Sequence, residues 1–147
     1  MTMVTNGAAD IPQPGREALK LPARTEIMAY CHQRKDWIID MIMEVAEFPY
    51  NHDSFLADRL IIDYREQLAP EPSAFTSVLL STPHEIGKFD RMPQDGEPVQ
   101  ILLATPITTS ELKYAKRNGN GALISLFSER YLSPVIDENR QCIFARK

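Results

Sequence analysis

The side chains that could carry chemistry are few: Cys31 and Cys142, the histidines His32, His52 and His84, and the run His52-Asp53-Ser54. A hydrolase of the nucleophilic kind needs a Cys or Ser within hydrogen-bond reach of a His that a third group orients. Cys31 or Ser54 with His52 or His84 is the set available. No G-x-S-x-G elbow surrounds Ser54, and neither cysteine sits in a recognisable nucleophile context. His32 is adjacent to Cys31, and neighbours on a strand face opposite sides. His84-Glu85 lacks the second His one helical turn on that a zinc hydrolase requires. Asp53, Asp58 and Asp63 do not match the oxygen-ligand spacing of a calcium loop. Gly119-Asn120-Gly121 is succeeded by Ala122-Leu123, where a phosphate cradle needs Lys and Ser or Thr. These residues read better as scaffold. They imply no cofactor and no metal, and leave a small hydrolase on Cys31 or Ser54 with a histidine as the alternative to function by contact.

A chain of 147 residues, 44% hydrophobic, has room for one domain with a real core. Its net charge of −4 and scattered Lys and Arg argue against a nucleic-acid binder working through a basic face. A mildly acidic surface suits a basic protein partner. The distant cysteines have no metal-type spacing and read as reduced core thiols. The N-terminus lacks a basic segment followed by an apolar core, and no apolar run approaches the ~18 residues of a membrane span. We expect a soluble, cytoplasmic protein.

Hydrophobic periodicity supplies the elements. Residues 2 to 22 read either as a disordered leader or as a strand end at Met3-Val4-Thr5, a turn at Asn6-Gly7 and a Pro-rich loop from Ile11 to Gly15. Arg24 to His32 is ambiguous by period: its helix propensity is fair, yet Ile27, Ala29 and Cys31 alternate against Met28 and Tyr30 as in a strand. Asp36 to Phe48 is the clearest helix: Trp37, Ile38, Met41, Ile42, Val45 and Phe48 recur at helical spacing. Asp36 is its expected cap and Pro49 its expected stop. Trp37 is expected to anchor the core. Leu60-Ile61-Ile62 and Phe75 to Ser81 are strands, and Thr82 to Pro98 is a polar connection able to carry specificity. Val99 to Ala104 makes a buried strand, with a turn expected at Pro106. Thr108-Thr109-Ser110-Glu111 fits a capping box opening a helix. The two glycines at 119 and 121 are expected at positive φ, breaking that helix from a second. Tyr131 to Asn139 is expected irregular, and Gln141 to Phe144 a closing strand.

The order Pro106-Ile107-Thr108, Glu111-Leu112, Gly119, Gly121 and Leu123-Ile124-Ser125-Leu126 resembles the signature of the suppressor of fused domain family. Thr5-Asn6-Gly7-Ala8-Ala9-Asp10 is similar to a Thr-x-Gly segment of that family, although Ala8-Ala9 and Asn6 depart from its usual residues. Glu26 to Tyr30, Ile136-Asp137, Arg140 and Ile143-Phe144 extend the resemblance along nearly the whole chain. It implies an α+β fold, a mainly antiparallel sheet with three helices packed on it. It divides the chain into a partial strand and Pro-rich loop over 1–22 and one domain over 23–147, and implies that an earlier part of the domain is missing. It also implies a non-catalytic protein-binding module. Animal members restrain a transcription factor, partly by adding an extended peptide as a strand, and bacterial members are associated with immunity to polymorphic toxins. The expected partner is therefore a protein, with a toxin domain as the specific expectation. The expected contact residues are Val4, Thr5, Asn6, Gly7 and Asp10, at a sheet edge near Met3 to Asn6.

Overall fold

The computed structural model describes residues 1–14, 24–83, 92–94 and 97–146. In chain order the elements are β1 (Thr2–Val4), a single 3-10 turn (Ala8–Asp10), β2 (Arg24–Cys31), α1 (Asp36–Asn51), β3 (Ile61–Asp63), β4 (Phe75–Ser81), β5 (Met92–Gln94), β6 (Glu97–Thr108), α2 (Thr109–Asn118), α3 (Asn120–Glu129) and β7 (Val135–Ile136). The strands form one sheet ordered β1-β2-β6-β4-β3, with β5 beside β6 and β7 beside β2. Its central pair, β2 with β6, is parallel, with Ile27 opposite Leu102; β7 also joins β2 in parallel. The remaining pairs are antiparallel. The domain is thus α+β on a mixed sheet, with more antiparallel pairs than parallel ones.

Period-two alternation divides the sheet's side chains between two cores. On one face Ile27, Ala29 and Cys31 of β2, Leu102 and Ala104 of β6, and Val78 and Leu80 of β4 pack against Ile38, Met41, Ile42 and Val45 of α1. On the other, Leu79 and Ile107 meet Leu112, Ala115, Leu123 and Phe127 of α2 and α3. Burying each large aliphatic side chain contributes about 1.5–3 kcal/mol. Trp37 packs at the margin of the α1 core, its ring 6.4 Å from that of Phe75.

Several boundaries differ from the expectations, each for a physical reason. Helix α1 runs two residues beyond Pro49. Proline removes one backbone donor and crowds the preceding turn, which is tolerable when only a last turn remains. Lys35, not Asp36, is the N-cap and makes no side-chain cap; Asp36 lies in the first turn, where its charge favours the helix dipole. Strand β6 continues through Pro106 to Thr108. The Pro106 carbonyl accepts from Arg140 Nη2 at 3.2 Å, so it points away from β4. On an antiparallel strand the nitrogen of the same residue points the same way, and the missing N–H costs the β4 ladder nothing.

The expected capping box forms: Thr108 Oγ1 accepts from Glu111 N, and Glu111 Oε2 accepts from Thr108 N at 2.9 Å. Gly119 ends α2 with φ of 98°. Gly121 is helical instead, and an added Cβ would lie 3.2 Å from Arg59 Nη1. The expected closing strand at Gln141 to Phe144 is a turn region, and the pairing falls to Val135–Ile136 in the stretch expected irregular. Two residues are too few for an alternation to register. Of the expected polar connection, residues 84–91 and 95–96 lie outside the described residues, and Met92–Gln94 form β5 against the start of β6. Gly15, the end of the expected Pro-rich loop, also lies outside them.

Candidate functional site at the β1 edge

Strand β1 lies at one end of the sheet, with Thr2 opposite Tyr30, Met3 opposite Ala29 and Val4 opposite Met28. Cys31 N donates to Met1 O at 2.9 Å and Thr5 N to Ile27 O at 2.8 Å. Residues 1, 3 and 5 therefore carry the ladder to β2. The peptide groups of Thr2 and Val4 point the opposite way, and among the described residues no strand pairs with them. Met3 packs on the α1 core, whereas the Val4 side chain is 49% exposed.

One carboxylate fixes the turn after β1. Glu26 Oε1 accepts from Ala9 N at 2.9 Å and Gly7 N at 3.2 Å, and Oε2 accepts from the Thr5 hydroxyl. The Thr5 hydroxyl in turn accepts from Ile27 N at 2.9 Å. Gly7 has φ of 99°, a conformation costly for any residue with a Cβ. Arg24 Nη1 donates to the carbonyls of Ala9 and Asp10, each at 2.7 Å. The Tyr50 hydroxyl donates to Ile11 O at 2.6 Å. Partial burial raises the Tyr50 phenol above its ordinary pKa, with Arg24 opposing and Glu26 adding to the rise.

The structure brings Val4, Thr5, Asn6, Gly7 and Asp10 together on one short stretch. Thr5 faces inward as a structural hydroxyl, while Val4, Asn6 and Asp10 are exposed. Sequence reasoning missed the residues that hold it: Glu26, Arg24 and Tyr50. Glu26 stands out in the sequence only as an early residue of a strand-like run, and nothing local to it signals that it binds a turn 17 to 21 residues earlier.

The residues considered for catalysis are placed differently. Cys31 is 1% exposed, within the α1 core. The His52 ring stacks on Phe48 with centroids 4.7 Å apart, and Ser54 N donates to Pro49 O at 3.0 Å. Among the described residues no hydrogen bond joins His52 to Cys31 or to Ser54, and His84 lies outside the described residues. Asp58 accepts from Thr82 N at 2.8 Å, and Asp63 from Arg65 N at 3.1 Å. Among the described residues no group of three His, Cys, Asp or Glu is placed to hold a metal ion. No helix among them is long and apolar enough to cross a membrane.

A second polar centre lies at the start of α2. Glu111 has no solvent exposure. Arg140 grips it through two bonds, Nη1–Oε1 at 2.6 Å and Nη2–Oε2 at 2.9 Å, and Ile143 N donates to Oε1 at 3.0 Å. The guanidinium also sits over the rings of Phe75 (5.0 Å) and Phe127 (5.8 Å). Burial pushes the Glu111 pKa up. The Arg140 hydrogen bond and charge, with the Thr108 and Ile143 amides, outweigh it and hold the carboxyl below its ordinary value. Glu138 is likewise held low, chiefly by its hydrogen bond from Lys35, with burial opposing and Trp37 Nε1 assisting at 3.1 Å. Both centres fasten the segment after α3 to the body of the domain. The Glu111 centre is sealed from solvent, whereas Lys35, Trp37 and Glu138 line an open cleft of about 120 Å³.

With this geometry in view, the family profile described as suppressor of fused protein matches residues 1–141. No curated protein sequence matches the chain. A crystal structure of a suppressor of fused homolog from Neisseria gonorrhoeae superposes with a TM-score of 0.73 at 17% identity, covering 99% of this chain and 71% of that one. The structure of the Sufu–Fu complex gives 0.64 at 12% identity, covering 82% of this chain and 57% of that one. Drosophila Suppressor of Fused gives 0.67 at 12% identity, covering 82% of this chain and 32% of that one. At these identities the structural likeness speaks for the fold.

Proposed function

The chain belongs to the suppressor of fused family, and from that premise we propose that it is a non-catalytic protein-binding module whose partner joins the sheet at the open edge of β1. The observation that carries this reading is the direction of the Thr2 and Val4 peptide groups, which face away from β2 beside a turn that Glu26 holds in one conformation. An incoming strand gains main-chain hydrogen bonds without reorganising that turn. A relative has been seen in the Sufu–Fu complex, which supports a protein as the kind of partner. The specific partner we propose is a toxin domain, with this chain as its immunity protein. A contact that occludes a toxin needs a rigid complementary face and no reactive group. The proposed contacts are Val4, Asn6, Gly7 and Asp10, with Thr5 in support from beneath.

The test is Val4→Pro. The Val4 N–H is not used by the β1–β2 ladder, so proline removes an outward donor and leaves the inward bonds of residues 1, 3 and 5 in place. Affinity for a candidate toxin domain is measured with wild type and variant, alongside thermal melting. The expected result is a loss of about tenfold or more, the worth of roughly one main-chain hydrogen bond plus the clash of the ring, at unchanged Tm. Undiminished affinity in Val4→Pro removes β1 as the docking edge. Growth of cells co-expressing toxin and wild-type chain tests immunity separately: binding without protection would leave a protein-binding module and discard the immunity role.

A further inference from the structure

Helix α3 ends in a Schellman-type closure: Leu132 N donates to Phe127 O at 2.9 Å and Tyr131 N to Ser128 O at 3.0 Å. The residue inside such a closure has a left-handed backbone, which favours glycine. Here it is Tyr131, with φ of 52° and a side chain 93% exposed. A bulky residue in that conformation costs the fold, and this one recovers nothing by packing. Its neighbour Arg130 is held in place. Arg130 Nη1 donates to Ile143 O at 2.6 Å, and the guanidinium lies 5.9 Å from the centre of the Phe144 ring. Phe144 is itself exposed and stacks on Tyr114 of α2, with centroids 5.2 Å apart. Arg117 lies one helical turn from Tyr114 and one from Lys113, and both basic side chains are exposed. One surface thus runs from Tyr131 through Arg130, Phe144 and Tyr114 to Lys113 and Arg117.

Residues 109–147 hold seven Lys and Arg against four Asp and Glu, although the whole chain carries −4. Arg140 and Lys116 are taken by Glu111 and Asp63, and Glu138 by Lys35. Among the described residues no carboxylate, that of Glu129 included, lies within ion-pair distance of Lys113, Arg117 or Arg130. Helix dipoles favour Arg117 and Arg130, at the C-terminal ends of α2 and α3, but they explain neither Lys113 nor Tyr131. Exposed tyrosine and arginine are the types that carry most binding energy in protein interfaces. Charge complementarity selects an acidic guest. Residues 1–108 hold nine Lys and Arg against sixteen Asp and Glu, so a long polyanion would run off the patch onto ground of its own sign. We propose that this surface binds a short acidic protein segment carrying an apolar side chain among its carboxylates. Lys113, Arg117 and Arg130 meet the carboxylates, and Tyr131 and Phe144 cover the apolar side chain. The assignment does not rest on the β1 edge: Lys116 Nζ lies 3.5 Å from Asp63 of β3, at the other end of the strand order from β1.

The experiment titrates the full chain with the synthetic peptide acetyl-Asp-Glu-Asp-Phe-Glu-Asp-Leu-Glu-amide, followed by backbone amide NMR. The control peptide has Asn for Asp and Gln for Glu. Saturable shifts centred on Lys113, Arg117, Arg130 and Tyr131 are expected, with the neutral peptide at least about tenfold weaker and salt weakening the acidic one. Lys113→Glu and Arg117→Glu, at exposed positions, should each weaken the acidic peptide about fivefold or more. Tyr131→Gly separates contact from folding. Glycine suits the left-handed position, so Tm should hold or rise while affinity falls about fivefold or more. Val4→Pro should bind the peptide as wild type does, which keeps this test apart from that of the β1 edge. The assignment is overturned by the absence of saturable shifts, by shifts centred elsewhere, or by equal binding of the neutral peptide. Unchanged affinity in folded Arg117→Glu or Tyr131→Gly would overturn it too. So would equal affinity for duplex DNA or phosphatidylglycerol vesicles at matched salt, which would make this a general polyanion surface.

Discussion

Glu26 and Glu111 perform a similar act in two regions: each carboxylate accepts from backbone N–H groups, at least one of them distant in sequence, and fixes that distant segment to the body of the domain. Glu26 takes the amides of Gly7 and Ala9 and the Thr5 hydroxyl. Glu111 takes the amides of Thr108 and Ile143 and both arms of Arg140. The difference is in where the charge resides. Around Glu26 the nearby guanidinium of Arg24 bonds to carbonyls of the turn at Ala9 and Asp10. Glu111 is sealed from solvent, so its charge is tolerable only with Arg140 in place, and Arg140 only with Glu111. The first arrangement positions a surface turn beside a strand that, among the described residues, has no strand on its outer side; the second closes the fold.

An isosteric swap breaks or confirms that distinction, and the largest effect belongs to Glu111→Gln. The neutral amide keeps the shape but leaves Arg140 as an uncompensated buried cation, which costs about 3–5 kcal/mol. Urea unfolding should show a large fall in midpoint, and a fall under about 1 kcal/mol would place this pair among ordinary surface ion pairs.

Acid should act through the same residue with a smaller effect. The folded-state pKa of Glu111 is depressed, so its contribution is complete above the unfolded-state value, about 4.3, and is lost as pH falls through the lower folded-state value. Wild-type stability should therefore decline below about pH 4. The decline should be shallower in Glu111→Gln, which has no carboxyl at that site to protonate. Equal acid slopes in the two proteins would assign the decline to other carboxylates.

Third in size is Thr108→Ala, expected to cost about 1 kcal/mol by opening the capping box at the start of α2. This is the one part of the Glu111 centre that is legible in the sequence, because a capping box spans three residues and its chemistry is local. Arg140 cannot be paired with Glu111 by the same means. They are separated by 29 residues, and the segment bringing them together has no periodicity. The same contrast runs through the fold. Strand β4 and helix α1 are readable because many residues repeat one pattern, whereas Pro49 misleads about the end of α1 because its cost depends on its place in the last turn. Pro106 resembles a turn residue until it is known which side of β6 is already unpaired, and β7 is too short to show itself. The residues of the β1 edge are legible as a strand end and a turn. The carboxylate fixing them is not, because Glu26 looks like any polar residue at the start of a strand.

Glu26→Gln should give the smallest effect and is the sharpest use of the comparison. The amide oxygen can still accept from Gly7 N and Ala9 N, and its NH2 can donate to the Thr5 hydroxyl oxygen, reversing one bond without losing it. Among the described residues no buried cation is paired with this charge, so global stability should change by less than about 1 kcal/mol. The weaker, neutral acceptor should instead appear locally, as faster hydrogen exchange at the Gly7 and Ala9 amides with exchange in α1 unchanged. A global loss as large as that of Glu111→Gln would mean that the turn beside β1 is an integral part of the folded core. The two carboxylates would then be alike, and the edge would lose its standing as a surface that can be altered while the fold persists.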